Sequence, residues 1–188
     1  VTNLIENTMN SSSVPRIPEI STHIFSAGGK KLRPLLCLAT AQALNYRHDK
    51  HIILAASIEF IHTATLLHDD VVDESSTRRG NKTANILWNN QSSILVGDFL
   101  FSKAFQLMVS TGSIKVLEVL ANTSAIIAES EVLQLSQVGN IETSINTYMK
   151  IIEGKTAALF SAASQAAAMI SSNNLDHIEI RRKIEKDK

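Results

Sequence analysis

Residues 51–73 read HIILAASIEFIHTATLLHDDVVD, and this stretch decides the fold. Apolar side chains occur around nearly the whole circumference of the helix that it would form, instead of along one face. That pattern is typical of a helix in the interior of a bundle. The stretch therefore predicts an all-α protein with this helix in its core and a group of acids at the helix end.

The rest of the chain also favours helices. Its 188 residues include only 7 Gly and 3 Pro, too few for the many turns of a sandwich or barrel. Pro15 and Pro18 predict a loop, or the start of a helix, over residues 11–18. A glycine pair then breaks the chain, and Pro34 fits the first turn of the next helix. We predict polar connectors at residues 45–50 and 74–85, and helices at residues 35–44, 51–73, 83–88, 92–108, 114–135 and 145–169.

Composition limits the classes of protein to which the chain can belong. With 44% hydrophobic and 19% charged residues it is too apolar for a disordered chain, and its length predicts a single domain over residues 1–188. Equal numbers of basic and acidic residues give a net charge of +0, so we expect no nucleic-acid partner. The single Cys37 excludes an internal disulfide.

The sequence predicts neither a membrane span nor a signal peptide. No apolar run reaches the roughly 18 residues of a spanning helix, and the N-terminus lacks the features of a secretion signal. We therefore expect a cytoplasmic protein without a transmembrane segment. The chain starts at Val1 and ends in a charged run, residues 181–188, which is typical of a solvated helix end.

The acidic end of the core helix, LLHDDVVD at residues 66–73, places three carboxylates within five residues. On a helix Asp69 and Asp73 share a face one turn apart, and Asp70 lies about 100° from Asp69 around the axis. Like charges this close need cations, and such oxygen ligands suit Mg²⁺, which completes its shell with substrate phosphate oxygens. The alternative is a solvated acidic helix end that binds nothing.

Two basic clusters flank these acids in the sequence: GGKKLR at residues 28–33 and TRRG at residues 77–80. Arginine grips phosphate through two N–H groups, and a glycine turn lets the backbone approach an anion closely. Either cluster alone is more often a surface patch. Together, around one acidic triad on an apolar scaffold, they predict sites for two phosphorylated substrates, one of which carries an apolar body.

Four motifs in order, GGKKLRP, LLHDDVVDESSTRRG, GDFLFSKAF and EGKTAALF, resemble those of the trans-type polyprenyl diphosphate synthases, most closely the octaprenyl and decaprenyl branch. The match extends over residues 20–168. The resemblance implies the isoprenoid synthase fold, a bundle of mostly antiparallel helices around a central apolar cavity, and a homodimer. It also implies head-to-tail condensation of isopentenyl diphosphate onto an allylic diphosphate, with Mg²⁺, to make a precursor of a quinone side chain.

The resemblance implies which residues handle the allylic diphosphate. Arg78 would hold it directly, Lys155 and Thr156 would face the carbon that ionises, and Gln134 would be a polar residue of the cavity. The first aspartate-rich motif would hold it through Mg²⁺, with the first and last acids also acting in catalysis: Asp69, Asp70 and Asp73.

The resemblance assigns a second set of residues to isopentenyl diphosphate: Lys30, Arg33, His62 and Arg79. An oxygen of the released diphosphate would take the proton that is lost, so no side chain is assigned as the base. Without the resemblance, His62 and His68 would be interpreted as ordinary core histidines on an apolar helix.

Product length is expected to depend on residues that precede the acids on the same helix: Thr65, Ala64 and Ile61. Ala64, five residues before the motif, is small, whereas short-chain members of the family carry a bulky aromatic there. Because a growing chain would run past these residues, the resemblance predicts a long all-trans product of about forty carbons (C40).

One feature of the family is missing. The family carries a second aspartate-rich motif on a later helix, and the acids after Thr156 do not form one: Asp176, Glu179, Glu185 and Asp187. The chain thus resembles a member that is incomplete at its C-terminus, and we expect it not to turn over alone. The alternative function is a non-catalytic or truncated diphosphate-binding subunit that needs a partner chain. A terpene cyclase is a third candidate, but it would not need the basic site at residues 28–33.

Overall fold

The structure of the protein is a computed structural model that describes residues 1–10 and 13–171. Helices make up most of this part of the chain, and its only strands form one short hairpin, so the predicted all-α fold is confirmed. We number the elements in chain order: α1 (Thr2–Met9), α2 (Arg16–Ser26), α3 (Leu32–Ala43), α4 (Lys50–Val72), β1 (Thr77–Arg78), β2 (Asn81–Lys82), α5 (Ala84–Leu87), α6 (Asn90–Ser110), α7 (Ile114–Ser136) and α8 (Ile145–Ile152).

Helix α4 lies in the core of the bundle, as its sequence predicts. Its side chains Leu54, Phe60 and Leu67 are wholly buried, and its main neighbours are α6 and α3. The close approach of α6 requires Gly97, because a Cβ at this position would collide with the ring of His68 on α4. The two helices can therefore pack tightly beside the acidic end of α4.

The long predicted helices agree with the structure, with one exception. Helices α4, α6 and α7 end within two residues of the predicted limits. The predicted helix at residues 145–169 is wrong as a continuous α-helix, because a π-helical turn, Glu153–Ala157, follows α8 before helical structure resumes over residues 158–171. Gly154 in this turn lies so close to α7 that a Cβ would collide with Ser130. Such turns insert one extra residue into a helix and are frequent at functional sites.

The N-terminal region is more helical than its sequence pattern indicates. Of the segment for which the sequence predicts a loop or the start of a helix, the structure describes residues 13–18: residues 13–15 are not helical, and α2 starts at Arg16 with Pro18 in its first turn. Proline fits there because the first N–H groups of a helix have no partner within it. Helix α1, which is too short to show a clear period, packs Ile5 and Met9 into the core. The charged run at residues 181–188 and the acids after Thr156 that the second motif would need lie outside the described residues.

Between α4 and α5 the chain forms a hairpin where the sequence predicts only a polar connector. Strands β1 and β2 pair antiparallel, with Arg78 opposite Asn81. The two residues of the turn have positive φ, 53° at Arg79 and 82° at Gly80, as in a tight two-residue hairpin. The hairpin therefore separates the neighbouring arginines, since Arg78 lies in a strand and Arg79 lies at the tip.

Two helices, α4 and α6, are long and apolar enough to cross a membrane by length and composition alone. Within the bundle, 61% of the apolar window of α4 and 33% of that of α6 are buried. The core helices of other bundles pass the same test, so the absence of a transmembrane segment stays a prediction.

Candidate active site

The loop before α3, the helix α4 and the hairpin tip enclose a hollow of about 370 Å³, which we call the basic pocket. Its cations come from both basic clusters of the sequence, although these are more than forty residues apart. The structure thus brings together in one place all four residues expected to bind isopentenyl diphosphate. The titratable groups that line the pocket are Lys30, Lys31, Arg33, Glu59, His62 and Arg79.

Arg79 reaches the basic pocket from the hairpin tip and lies against the backbone of Gly29. A Cβ at Gly29 would be 2.5 Å from Nη1 of Arg79, and the φ angle of Gly29 is 155°. Only glycine leaves room for the guanidinium and adopts this backbone without strain. The glycine pair, predicted to let the backbone approach an anion, therefore also makes room for an arginine.

Arg33 stacks over the ring of Phe160, with its guanidinium carbon 4.3 Å from the ring centre. Its Nε is buried and has no hydrogen-bond partner among the described residues. Burial lowers the pKa of Arg33 and Glu59 partly offsets this effect, but an arginine remains charged at neutral pH. A cation with an unused N–H group beside a hollow is suited to an anionic ligand.

Helix α4 contributes two titratable groups to the basic pocket. Burial raises the pKa of Glu59, and the nearby charges of Lys31, Arg33 and Arg79 offset only part of that rise. Burial and the surrounding arginines lower the pKa of His62 to about 3, so its imidazole is neutral at physiological pH. A neutral imidazole can still donate one hydrogen bond to a phosphate oxygen.

An apolar cleft of about 360 Å³ runs along a neighbouring face of α4, between this helix, α6 and α7. Of the expected chain-length residues, Thr65 lines the cleft, whereas Ala64 and Ile61 are wholly buried and do not. Ile61 lies one turn before Thr65 on the same face, and so below the cleft along the helix. The lining includes Thr65, Asp69, Phe101, Ile127 and Glu131.

Two carboxylates of the cleft, those of Asp69 and Glu131, share the ammonium group of Lys155. Its Nζ donates a hydrogen bond to Oε2 of Glu131 at 2.9 Å and lies 3.2 Å from Oδ2 of Asp69. Burial and the charge of Asp69 raise the pKa of Glu131, and Lys155 opposes them. The π-helical turn thus delivers a cation to the first aspartate of the motif.

Asp70 lies apart from the other two aspartates of the motif. It is only 2% exposed, and Oδ1 accepts hydrogen bonds from Nε (3.0 Å) and Nη2 (2.8 Å) of Arg78. Its main-chain carbonyl accepts hydrogen bonds from the N–H of Ser75 and the side-chain amide of Asn85. Arg78 is expected to hold the allylic diphosphate, but two N–H groups of its guanidinium already donate hydrogen bonds to Asp70.

The other residues that the sequence predicts for the allylic site make fewer contacts with the pocket or the cleft. Asp73 is exposed at the end of α4, Thr156 is exposed in the π-helical turn, and Gln134 is half-buried on α7 without lining the cleft. His68, for which a core role was the alternative, lines the cleft with its Nε2 3.3 Å from Oδ1 of Asp98.

The carboxylates form only part of a metal site by themselves. Among residues 1–10 and 13–171, no group of three His, Cys, Asp or Glu side chains is placed to hold a metal ion. Mg²⁺ does not need such a group, since it binds one or two carboxylates and completes its shell with water and phosphate oxygens. Asp69 and Asp73, one turn apart on one face, fit that role, whereas Asp70, buried against Arg78, does not.

Sequence reasoning gave no role to three acids of these sites: Glu59, Asp98 and Glu131. Asp98 lies within the motif GDFLFSKAF, but that motif was used only for the resemblance. Glu131 stands among the polar residues of an ordinary helix and its partner Lys155 is 24 residues away, so no local pattern indicates the pair. Glu59 did leave a signal, because it is the only acid in residues 51–68. A charged residue inside such an apolar run requires compensating partners.

The sequence also matches a known family over most of its length. A family model described as Polyprenyl synthetase matches residues 14–186. Among curated proteins, octaprenyl diphosphate synthase from Escherichia coli is 49% identical over 160 residues, which are 85% of this chain and 50% of that protein. The chain spans about half the length of the curated relatives that it matches.

The structure of this chain also matches solved structures in fold. The crystal structure of a decaprenyl diphosphate synthase from Rhodobacter capsulatus matches with a TM-score of 0.89 and 56% identity, over 91% of this chain and 53% of that one. The polyprenyl synthase from Caulobacter crescentus, crystallised with calcium and isoprenyl diphosphate, matches with a TM-score of 0.89 and 50% identity, over 91% of this chain and 52% of that one.

Proposed function

The chain belongs to the polyprenyl synthetase family, and on that premise we propose that it binds isopentenyl diphosphate and an allylic prenyl diphosphate for head-to-tail condensation. The proposed product is a long all-trans polyprenyl diphosphate that serves as a quinone side-chain precursor. Similarity to octaprenyl and decaprenyl diphosphate synthases supports this product class. One observation carries the proposal: the basic pocket and the apolar cleft occupy two faces of a single helix, α4.

The spacing of residues along α4 separates the two sites. Residues at intervals of three or four share a face of a helix, so each site takes one stripe of side chains. The two stripes lie side by side, which would bring two bound substrates close together. The residues of α4 that line the basic pocket are Glu59, His62, Thr63 and Leu66, and those that line the cleft are Thr65, His68, Asp69 and Val72.

The basic pocket suits the diphosphate of isopentenyl diphosphate, a small substrate with a high charge. Arg33 and Arg79 can each grip phosphate oxygens through two N–H groups, and Lys30 adds a point charge. His62, neutral at physiological pH, would contribute a hydrogen bond without further charge. Together these groups would hold the alkene end of the substrate next to α4.

The apolar cleft suits the prenyl chain of the allylic substrate. In the proposed reaction its C–O bond breaks, and the electron pair leaves with the diphosphate. The alkene of isopentenyl diphosphate attacks the resulting cation, and a proton is lost to an oxygen of the released diphosphate. Apolar residues such as Phe101 and Ile127 would keep water away from the cation. Lys155 and Arg78 would stabilise negative charge on the leaving group, and Thr156 would face the reacting carbon.

We also propose that Asp69 and Asp73 bind Mg²⁺, because their two carboxylates lie one turn apart on one face of α4 and Mg²⁺ binds one or two carboxylates. When bound, Mg²⁺ would neutralise charge that accumulates on the departing diphosphate. Lys155 must then release Asp69, and its hydrogen bond to Glu131 would keep the ammonium group in the cleft.

We further propose a cytoplasmic homodimer, as the family resemblance implies. Apolar side chains on α7 and in the segment after it are exposed to solvent and would be available to a second copy of the chain. Their exposures are 68% for Val132, 58% for Leu135 and 74% for Val138.

Equilibrium binding tests the proposed function directly. The chain is expected to bind radiolabelled isopentenyl diphosphate, and to bind farnesyl thiodiphosphate, an unreactive allylic analogue, when Mg²⁺ is present. Arg33→Met should abolish binding of the first ligand and preserve binding of the second. A chain that is folded but binds neither ligand would refute the proposal.

A further inference from the structure

We propose that the ion pair between Asp70 and Arg78 positions Arg79 in the basic pocket, so that Asp70 serves isopentenyl diphosphate binding instead of metal binding. The inference rests on the function proposed for the basic pocket. It is carried by the position of Asp70 on α4 and by its contacts with the hairpin.

Asp70 lies on the same stripe of α4 as residues of the basic pocket, although its own side chain lines a smaller hollow beside the hairpin. It follows Thr63 by seven residues and Leu66 by four, and both of these line that pocket. Residues at such intervals share a helix face. Asp69, in contrast, follows Thr65 by four residues and lines the cleft. Two adjacent aspartates of one motif therefore lie on different faces of α4, and of the two only Asp69 lines the cleft.

The contacts of Asp70 fix the hairpin to α4. Its buried carboxylate receives two N–H groups of Arg78, and this fork sets the orientation of the arginine as well as its position. Its carbonyl receives the N–H of Ser75 at 2.9 Å and Nδ2 of Asn85 at 3.2 Å. Hydrogen bonds thus join the end of α4 to the chain before β1, within β1 and after β2.

Arg79 depends on this anchor because it is the next residue after Arg78. It occupies the first position of a two-residue turn, with φ at 53°, and such a turn has little freedom to move independently of its strands. Its guanidinium lies directly against Gly29, so a small rotation of the hairpin would withdraw it from the pocket. Loss of the Asp70 carboxylate should therefore weaken isopentenyl diphosphate binding.

The test compares Asp70→Asn with Asp69→Asn by calorimetric titration of the whole chain. For Asp70→Asn, the dissociation constant of isopentenyl diphosphate rises about tenfold or more, as expected for one lost charge-assisted contact. The Mg²⁺ concentration needed for farnesyl thiodiphosphate binding changes by less than about threefold. Asp69→Asn shows the reverse pattern. Equal weakening of both ligands by Asp70→Asn, or an effect on Mg²⁺ alone, overturns the proposal.

Asp70→Asn leaves Arg78 as an unpaired charge, and the variant can fail to fold for that reason. In that case a double variant is titrated with isopentenyl diphosphate instead. In D70L/R78M apolar side chains replace the ion pair, an exchange that is often neutral for stability. Because Arg78 is itself expected to hold the allylic diphosphate, this variant is titrated with isopentenyl diphosphate alone. Loss of isopentenyl diphosphate affinity supports the proposal, and unchanged affinity overturns it. If the wild-type chain itself fails to bind isopentenyl diphosphate, the proposed function of the pocket fails, and this inference with it.

Discussion

Lys155 donates a hydrogen bond to Glu131 at 2.9 Å across the gap between the π-helical turn and α7. Burial lowers the pKa of Lys155, but this hydrogen bond and the charge of Asp69 outweigh burial and leave the pKa above its usual value. Lys155 is therefore charged at neutral pH beside two carboxylates that line the cleft. Glu131 gives this cation a partner other than the aspartate expected to bind Mg²⁺.

We predict that Glu131→Gln makes allylic substrate binding more dependent on Mg²⁺. Without the Glu131 charge, Lys155 pairs mainly with Asp69 and competes with the metal ion there. The Mg²⁺ concentration for half-maximal farnesyl thiodiphosphate binding should rise roughly three- to fivefold, in keeping with a partly exposed ion pair. Glu129→Gln, an exposed acid on the same helix, is the control and should behave as wild type. Identical Mg²⁺ curves for all three proteins would contradict the role given to Glu131.

Gly29→Ala should weaken isopentenyl diphosphate binding. The added methyl group would lie 2.5 Å from Nη1 of Arg79 and push the guanidinium out of the basic pocket. Gly28→Ala is the matched control, because its φ is also positive, at 80°, but nothing lies within 4 Å of its added Cβ. Both variants carry backbone strain, so only Gly29→Ala should raise the dissociation constant strongly, by about tenfold. Titration calorimetry measures both dissociation constants. Equal weakening by the two variants would contradict the role given to Gly29, because it would show that backbone strain alone is responsible.

Gly154→Ala should destabilise the protein, and Ser130→Gly should rescue it. The new methyl group collides with the Ser130 side chain, and overpacking of this kind costs about 1–3 kcal/mol. Deleting the side chain of Ser130 removes the nearest obstacle, although the carbonyl of Ile126 remains 3.2 Å away. Urea denaturation of both single variants and the double variant measures the effect. The comparison that decides is the cost of Gly154→Ala in the Ser130→Gly protein against its cost in wild type, because the cost of a glycine inside α7 then cancels. Equal costs would mean that the collision is not the cause.

Stability should fall on acidification because of His62. Its pKa in the folded protein is about 3, against 6.5 in a model peptide. As the pH falls below 6.5, the unfolded chain therefore takes up a proton that the folded protein does not, and the free energy of unfolding decreases. The loss between pH 7.5 and pH 5 is about 2 kcal/mol.

His62→Gln is the variant that isolates this effect. It should lose less stability than wild type over the same pH range, as measured by urea denaturation at both pH values. The raised pKa of Glu59 acts with the opposite sign, but Glu59 is present in both proteins. Parallel losses in the two proteins would exclude His62 as the source.

The core of the fold could be predicted because its signal is local. The apolar pattern of residues 51–73 predicts a helix in the core of a bundle, and the observed helix α4 extends over Lys50–Val72. The π-helical turn could not be predicted, because the sequence favours helix throughout residues 145–169. At this turn Gly154 lies close to Ser130 of α7, a contact between residues that only the folded chain brings together.

Many of the charged side chains of the two sites could likewise be predicted, although Glu59 and Glu131 could not, and neither could the pairing of the charges. The motifs identify Asp69, Asp70 and Arg78 as chemical groups. Nothing in their order indicates that Asp70 turns to Arg78 while Asp69 turns to Lys155, which is 86 residues away. The face of α4 on which each aspartate lies decides this, together with the hairpin that no pattern indicated.

The central claim is that the two faces of α4 hold two diphosphates at the same time. The most direct measurement saturates the chain with farnesyl thiodiphosphate and Mg²⁺ and then titrates isopentenyl diphosphate by calorimetry. We predict that isopentenyl diphosphate still binds, with a dissociation constant within about threefold of its value without the allylic analogue. A dissociation constant that rises in proportion to the concentration of farnesyl thiodiphosphate would contradict the account, because it would show one shared diphosphate site.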